Sequence, residues 1–236
     1  MLNSVTTDQG FFKKLLHNKS AVAGLLIIGL AVFVALFAYV LAPDASPDAN
    51  RIIVEIAAKK PGYQQQFYLQ QKESVNKSGS FLFGKDDACQ FIPVSSWKQK
   101  GDSIYLQKLI DDGITETWVR PLHGQKAEQL IYSQTFVLGT DKFGRDILSR
   151  LLIGTRVSLG VGFIAVLISV TVGILLGAFA GYYRGRTDDF IMWLVNVVWS
   201  IPTLLLVFAI TLALGKGYWQ VFIAIGLTLW VNVARL

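Results

Sequence analysis

The chain has 236 residues, of which 53% are hydrophobic and 16% are charged, and its formal net charge at pH 7 is +6. An average soluble domain carries about 25% charged residues, so the composition indicates a membrane protein. The segment 44–135 is neutral, with 11 basic and 11 acidic residues. The basic excess therefore lies in short segments that flank apolar stretches, which argues against nucleic acid as a partner.

Four stretches lack Asp, Glu, Lys and Arg, and each is near or above the roughly 20 residues that a helix needs to cross a bilayer. They predict four transmembrane helices, at about residues 20–42, 157–183, 190–215 and 217–235. Basic residues precede the first stretch (Lys19) and follow the second (Arg184 and Arg186). By the positive-inside rule, residues 1–19 are cytoplasmic and residues 43–137 lie on the opposite side.

The predicted fold class is an all-α polytopic membrane protein with four transmembrane helices in this chain and a small extracytoplasmic insertion. The insertion, residues 43–137, is predicted to be β-rich or α+β because short β-like runs alternate with turn signals. A short helix is predicted at 105–111. The β-like runs lie at 51–56, 66–70, 81–83, 103–106 and 115–119.

A phosphate-loop pattern, G-x-x-x-x-G-K, runs from Gly79 to Lys85. A phosphate loop needs Ser or Thr after the Lys to hold Mg²⁺, and Asp86 stands there instead. We therefore interpret the segment as a turn and expect no bound nucleotide. His123 has no second histidine or acidic cluster at ligand spacing, so we expect no metal site, and no set of catalytic residues is evident.

The stretch LGTDKFGRDILSRLLIGTRVSLG begins at Leu138. Thr140 and Asp141 are candidate helix caps, and the apolar residues that follow fall on one helical face. The pattern predicts an amphipathic helix at residues 138–156 that lies in the membrane interface. On physical grounds alone, an interfacial anchor without a chemical role is the simpler interpretation.

This stretch resembles the signature of one family, L-G-T-D-x-x-G-R-D-x-x-S-R-x-x-x-G-x-R-x-S-L, found in C-type permease subunits of dipeptide, oligopeptide and nickel ABC importers. Residues 177–210 and 215–236 resemble the helices that follow in the family, so 157–236 would be the N-terminal part of its core permease domain. Residues 44–135 are not covered. The matching motif residues are Gly139, Thr140, Asp141, Gly144, Arg145, Asp146, Ser149 and Arg150.

The resemblance implies a bacterial cytoplasmic (inner) membrane protein that forms half of the translocation pathway for peptides or a related solute such as nickel. It implies a second permease subunit, two cytoplasmic ATPase subunits that bind ATP and Mg²⁺, and an extracytoplasmic solute-binding protein. This chain would be a lipid-embedded transport subunit without a cofactor, not an enzyme. Because the family's ATPase-coupling loop is missing after Leu236, we expect a truncated chain. The alternative is a membrane receptor or sensor with an extracytoplasmic ligand-binding domain.

Two features of the apolar stretches have structural and functional interpretations. Gly173 and Gly177 form G-x-x-x-G, which permits close helix packing, either static or sliding during transport. Pro202 removes a backbone hydrogen bond in the middle of the third stretch, and such a kink is often only structural. Its polar neighbours make it a candidate part of the translocation pathway. The pathway candidates are Asn196, Ser200, Pro202 and Thr203.

Overall fold

The computed structural model describes residues 15–72, 84–111, 113–122, 124–215 and 217–235. The chain divides into two compact units, Met1–Arg156 and Val157–Leu236. The first unit contains an apolar helix and a β-sheet. The second unit consists of helices.

Helix α1 (Lys19–Leu36) is apolar on all sides, with Ala35 as its buried residue. Its first turn is capped by Asn18, whose Oδ1 accepts the N–H groups of Ser20 and Ala21 at 3.1 and 3.3 Å. After a break at Phe37, the short helix α2 (Ala38–Leu41) follows. A helix that is apolar all round and exposed along its length is suited to lipid.

The first unit contains a five-stranded antiparallel sheet with strand order β4-β3-β2-β1-β5. Gly101 and Gly113 adopt positive φ at the turns that connect β2 to β3 and β3 to β4, as tight hairpins require. The strands are β1 (Tyr63–Gln71), β2 (Cys89–Lys100), β3 (Ser103–Asp111), β4 (Ile114–Pro121) and β5 (Ile131–Phe136).

Two apolar clusters stabilise the sheet. In one, Phe67 of β1 packs with Phe136 of β5 and with Ile53 and Ile56 from the segment before the sheet. The other is centred on strands β1, β2 and β3 and is closed by residues that follow β4. Its buried members are Tyr68, Ile92, Val94, Ile104, Leu106, Leu122 and Ala127.

Four helices follow the sheet in the described part of the chain. Helix α3 (Ile147–Tyr183) is 37 residues long, α4 (Arg186–Ser200) has 15, α5 (Thr203–Leu214) has 12 and α6 (Tyr218–Ala234) has 17. At 1.5 Å per residue, α3 is about 55 Å long. Helices α4 and α5 meet at a bend of 98°.

The predicted fold class, with four transmembrane helices, is wrong. Among the described residues, α1 and α3 are long and apolar enough to cross a membrane, and the count reaches three if the bent pair α4–α5 forms one span. The third predicted helix divides because Pro202 lacks an N–H and disfavours the helical conformation of the residue before it. Ile201 is accordingly extended, with ψ of 128°. The fourth, α6, is a shorter apolar helix.

The structure also revises local predictions. Residues 51–56 contain a 3-10 helix, Val54–Ile56, rather than a strand, and the helix predicted at 105–111 is part of β3. The separate interfacial helix predicted at 138–156 is absent, because its last ten residues are the first turns of the continuous helix α3. The strand predicted at 81–83 lies outside the described residues.

Candidate functional site

The family-motif residues lie in the first unit, in the ordered turn before α3 and in its first turns. Two glycines bring this turn close to the segment that precedes the sheet. Gly139 and Gly144 have φ of +78° and +73°, and a Cβ at either position would overlap a backbone carbonyl, that of Lys59 or Ile53. Only glycine combines this conformation with such close approach.

Thr140 joins the same two segments. Its hydroxyl donates to the Ile56 carbonyl at 2.6 Å and accepts the Lys59 N–H at 2.9 Å. Its backbone N–H also donates to the Lys59 carbonyl, at 3.1 Å. The Thr140 side chain is buried, and its hydroxyl bonds the turn to the segment before the sheet.

Asp141 organises the turn itself. Its carboxylate accepts the N–H groups of Phe143 and Arg145 at 2.9 and 3.0 Å and the Arg145 Nε–H at 2.8 Å. Partial burial alone would raise the pKa of the Asp141 carboxyl, but these hydrogen bonds and the Arg145 charge lower it below its ordinary value. Arg145 also donates to Asn50 Oδ1 at 3.0 Å, and Arg150 Nε lies 4.0 Å from Asp141.

Asp146, rather than Thr140 or Asp141, caps helix α3. Its Oδ2 accepts the backbone N–H of Ser149 at 3.1 Å and also the Ser149 hydroxyl, the arrangement of an N-cap. The Ser149 Oγ accepts the backbone N–H of Asp44 at 2.9 Å. Asp44, Asp146 and Ser149 are all buried.

A second ion-pair group, which the sequence analysis did not predict, extends this network. Arg51 donates to both carboxylate oxygens of Asp87, at 2.7 and 2.6 Å, and lies 3.5 Å from Asp44. Burial alone would lower the pKa of Arg51, but the hydrogen bonds and charges of these carboxylates raise it above its ordinary value. Its guanidinium also lies 3.8 Å from the ring centroid of Phe91.

These contacts make the motif a structural junction. The side chains of Thr140, Asp141 and Ser149 all hydrogen-bond to other groups of the first unit. Among the described residues, no group of three or more His, Cys, Asp or Glu side chains could hold a metal ion. Residues 79–83 of the phosphate-loop pattern and His123 lie outside the described residues.

The predicted pathway residues lie in the second unit, at the break between α4 and α5. Asn196, Ser200 and Thr203 are exposed, and Ser200 Oγ donates to the Val197 carbonyl at 2.7 Å. Beside the break is a cavity of about 90 Å³ lined by residues of α4, α5 and α6, including Thr203, Thr228 and Asn232. Pro202 therefore interrupts the helix at a place where polar side chains line a small cavity.

The two glycines of G-x-x-x-G lie where α3 meets α6. A Cβ at Gly173 would lie 2.5 Å from the Cβ of Val233, and one at Gly177 would lie 2.9 Å from the carbonyl oxygen of Ala234. On the other helix, a Cβ at Gly226 would lie 2.7 Å from the Cβ of Ile168. The absence of side chains at these positions allows the two backbones to approach.

Two family models match this chain. The N-terminal TM domain of oligopeptide transport permease C matches residues 9–61. The binding-protein-dependent transport system inner membrane component matches residues 173–236. Together with the apolar helices, these matches to transport-permease models indicate an integral protein of the inner membrane.

The resemblance predicted from the motif, to the C-type permeases of peptide and nickel importers, is confirmed by these matches and by the similar proteins that follow. The oligopeptide transport system permease protein of Bacillus subtilis is 37% identical over 98 residues, 42% of this chain and 32% of its own length. The glutathione transport system permease protein of Pectobacterium atrosepticum is 41% identical over 99 residues, which cover 42% of this chain and 33% of its own length.

The nickel transport system permease protein of Escherichia coli K12 is 35% identical over 150 residues, which cover 62% of this chain and 54% of its own length. The chain therefore spans about a third to a half of the length of these curated relatives. The family models leave residues 62–172 unmatched, a range that includes the sheet and the junction before α3.

Proposed function

We propose that this chain is a transmembrane permease subunit of an ATP-driven importer and forms half of a translocation pathway for peptides or a related solute such as nickel. The observation that carries the proposal is the pair of permease-family matches, one on each side of the sheet. The relatives named above are permeases of oligopeptide, glutathione and nickel transport systems. The variety of solutes among these relatives supports a solute importer, and the class of solute is to be determined by experiment.

The proposed assembly contains a second permease subunit, two cytoplasmic ATPase subunits and an extracytoplasmic solute-binding protein. ATP and Mg²⁺ would bind the ATPase subunits, while this chain does no covalent chemistry and rearranges its helices. We place the N-terminus in the cytoplasm because Lys19 precedes α1 and Arg184 and Arg186 follow α3. The sheet then lies on the extracytoplasmic side, where it is accessible to the binding protein.

Reconstitution tests the function. The chain, together with the candidate partner subunits encoded near its gene, is placed in proteoliposomes, and uptake of a labelled tripeptide and of radioactive nickel is measured. We expect uptake of one of them to require ATP, the binding protein and this chain. Equal uptake from vesicles that lack this chain would contradict the proposal.

A pair of matched variants tests the pathway. Ser200→Trp adds a large ring at the break between α4 and α5, and we expect it to lower the maximal uptake rate about tenfold by obstructing passage. Leu212→Trp adds a similar ring on α5, where the side chain is 76% exposed, and should leave uptake near the wild-type rate. If the two variants transport equally, the break does not line the path.

A further inference from the structure

The end of α1–α2 and the beginning of α3 pack together within the first unit. Ala38 and Ala42 form a buried cluster with Ala49 and with Ile153 of α3. Small side chains allow close approach between helical segments. The guanidinium of Arg156 adds a contact, 5.5 Å from the ring centroid of Tyr39. Hydrogen bonds beside such a cluster define the register of the two segments more sharply than the apolar contacts do, because hydrogen bonds are directional.

A buried hydroxyl fixes the register. Ser149 is fully buried in the first turn of α3, and its Oγ accepts the N–H of Asp44, three residues after the end of α2. The same hydroxyl donates its proton to Asp146 Oδ2. Asp44 is immobilised in turn, since its carboxylate accepts the N–H groups of Ser46 and Arg51 at 2.9 and 3.2 Å. The Ser149 hydroxyl therefore connects two segments. One is held in place by the carboxylate of Asp44 and the other is capped by the carboxylate of Asp146.

We propose that Ser149 is a positioning residue that locks the end of α1–α2 to the first turns of α3, so that these two segments move as one body during transport. A shift of one segment past the other by one turn would keep the Ser149–Asp146 contact within α3 but leave the buried N–H of Asp44 without its partner, and an unmade buried hydrogen bond is strongly unfavourable. The inference rests on the proposed function for its role in transport. The helix rearrangement of a transport cycle then occurs elsewhere in the chain.

Spin labels test the lock directly. In full-length chain with Cys89→Ser, labels are attached at Leu41→Cys and Leu151→Cys, two exposed positions on either side of the contact, and the protein is placed in lipid nanodiscs. We expect one narrow distance distribution. Ser149→Ala should broaden it and raise the population of longer distances about tenfold, the factor that corresponds to loss of one buried hydrogen bond. Ser158→Ala, an exposed position on the same helix, should not.

The assembled transporter gives the second measurement. The wild-type distance should be the same in the nucleotide-free and ATP-bound states, a result that does not depend on the folding of any Ser149 variant. Where Ser149→Ala folds, its maximal uptake rate should fall about tenfold at unchanged KM, because Ser149 is fully buried and its hydroxyl is engaged by Asp44 and Asp146. A wild-type distance that changes between the two states overturns the lock. Absence of uptake by the wild-type assembly overturns only the proposed function.

Discussion

Individual residues of the family motif act through hydrogen bonds to the protein's own backbone. Thr140 and Ser149 are hydroxyl residues because each accepts one N–H and donates one proton at the same time. Asp141 is an acid because three N–H donors converge on it. The residue types at these motif positions are therefore those that the hydrogen bonds of the turn and of the first turn of α3 require.

The lowered pKa of Asp141 predicts a pH dependence of stability. A carboxyl whose pKa is lower in the folded protein stabilises it above the unfolded-state pKa of about 3.9, and this contribution disappears as the pH falls through the folded-state value. We therefore expect Asp141→Asn to lower the melting temperature at pH 7 and to lower it less as the pH approaches 3.

Melting temperatures of wild type and Asp141→Asn in detergent, measured between pH 3 and pH 7, check this prediction. The two curves should converge toward acid. A difference that stays constant over the whole range would show that the variant acts through packing and not through the ionised carboxylate.

The sequence identified the motif residues through resemblance, but it did not show what they contact. Asp44 and Arg51 were missed because their partners are distant in the chain: Ser149 is 105 residues from Asp44, and Asp87 is 36 from Arg51. Pairs at i,i+4, such as Asp141 and Arg145, can be recognised from their spacing in a sequence. Long-range pairs become visible only when the fold brings them together.

At the scale of elements, the contact between α3 and α6 depends on glycine. Gly173→Ala places a methyl group 2.5 Å from the Cβ of Val233, and such overpacking costs roughly 1–3 kcal/mol. Gly160→Ala is the matched control on the same helix, since a Cβ there meets nothing within 4 Å. Thermal unfolding in detergent should show a lower melting temperature for Gly173→Ala and an equal or higher one for Gly160→Ala. Equal effects would mean that the contact does not form.

The bend between α4 and α5 depends on Pro202. Pro202→Ala restores the missing N–H and permits a helical Ile201, so we expect the two helices to approach one straight helix. Spin labels at Trp193→Cys and Leu212→Cys, both exposed, measure this in the Cys89→Ser background. With the 98° bend the distance is roughly 17 Å, and for a straight helix it is about 28 Å. An unchanged distance would mean that the neighbouring helices impose the bend.

Strands were harder to predict than helices. Strand β2 was missed entirely, because Pro93 is unfavourable in a strand interior and its second half, SSWKQK, has no apolar alternation. A register shift between Val94 and Ser96 further disturbs the period of two. Hydrophobic content, by contrast, indicated helices in the stretches that form α1 and most of α3, but it could not show that Pro202 would divide the third stretch into two helices.

At the scale of the whole molecule, the charge pattern predicts the orientation. We expect Gln99→Cys, exposed at the end of β2, to react with an impermeant thiol reagent in intact spheroplasts, and Arg184→Cys, exposed after α3, to react only after permeabilisation. Cys89→Ser removes the native thiol in both. Labelling after permeabilisation is the control for accessibility, and the reverse pattern in intact spheroplasts would invert the proposed orientation.

The length of α3 has a consequence for the bilayer around it. Its uncharged part, residues 157–183, is about 40 Å long, whereas the hydrocarbon layer is about 30 Å thick. The excess of about 10 Å is accommodated by leaning away from the membrane normal, by up to roughly 40°, or by immersing the last turn among the lipid headgroups. Tyr182 and Tyr183, which are both exposed at that end, are side chains suited to the headgroup layer. A thinner membrane should therefore increase the angle between this helix and the membrane normal, and a thicker membrane should decrease it.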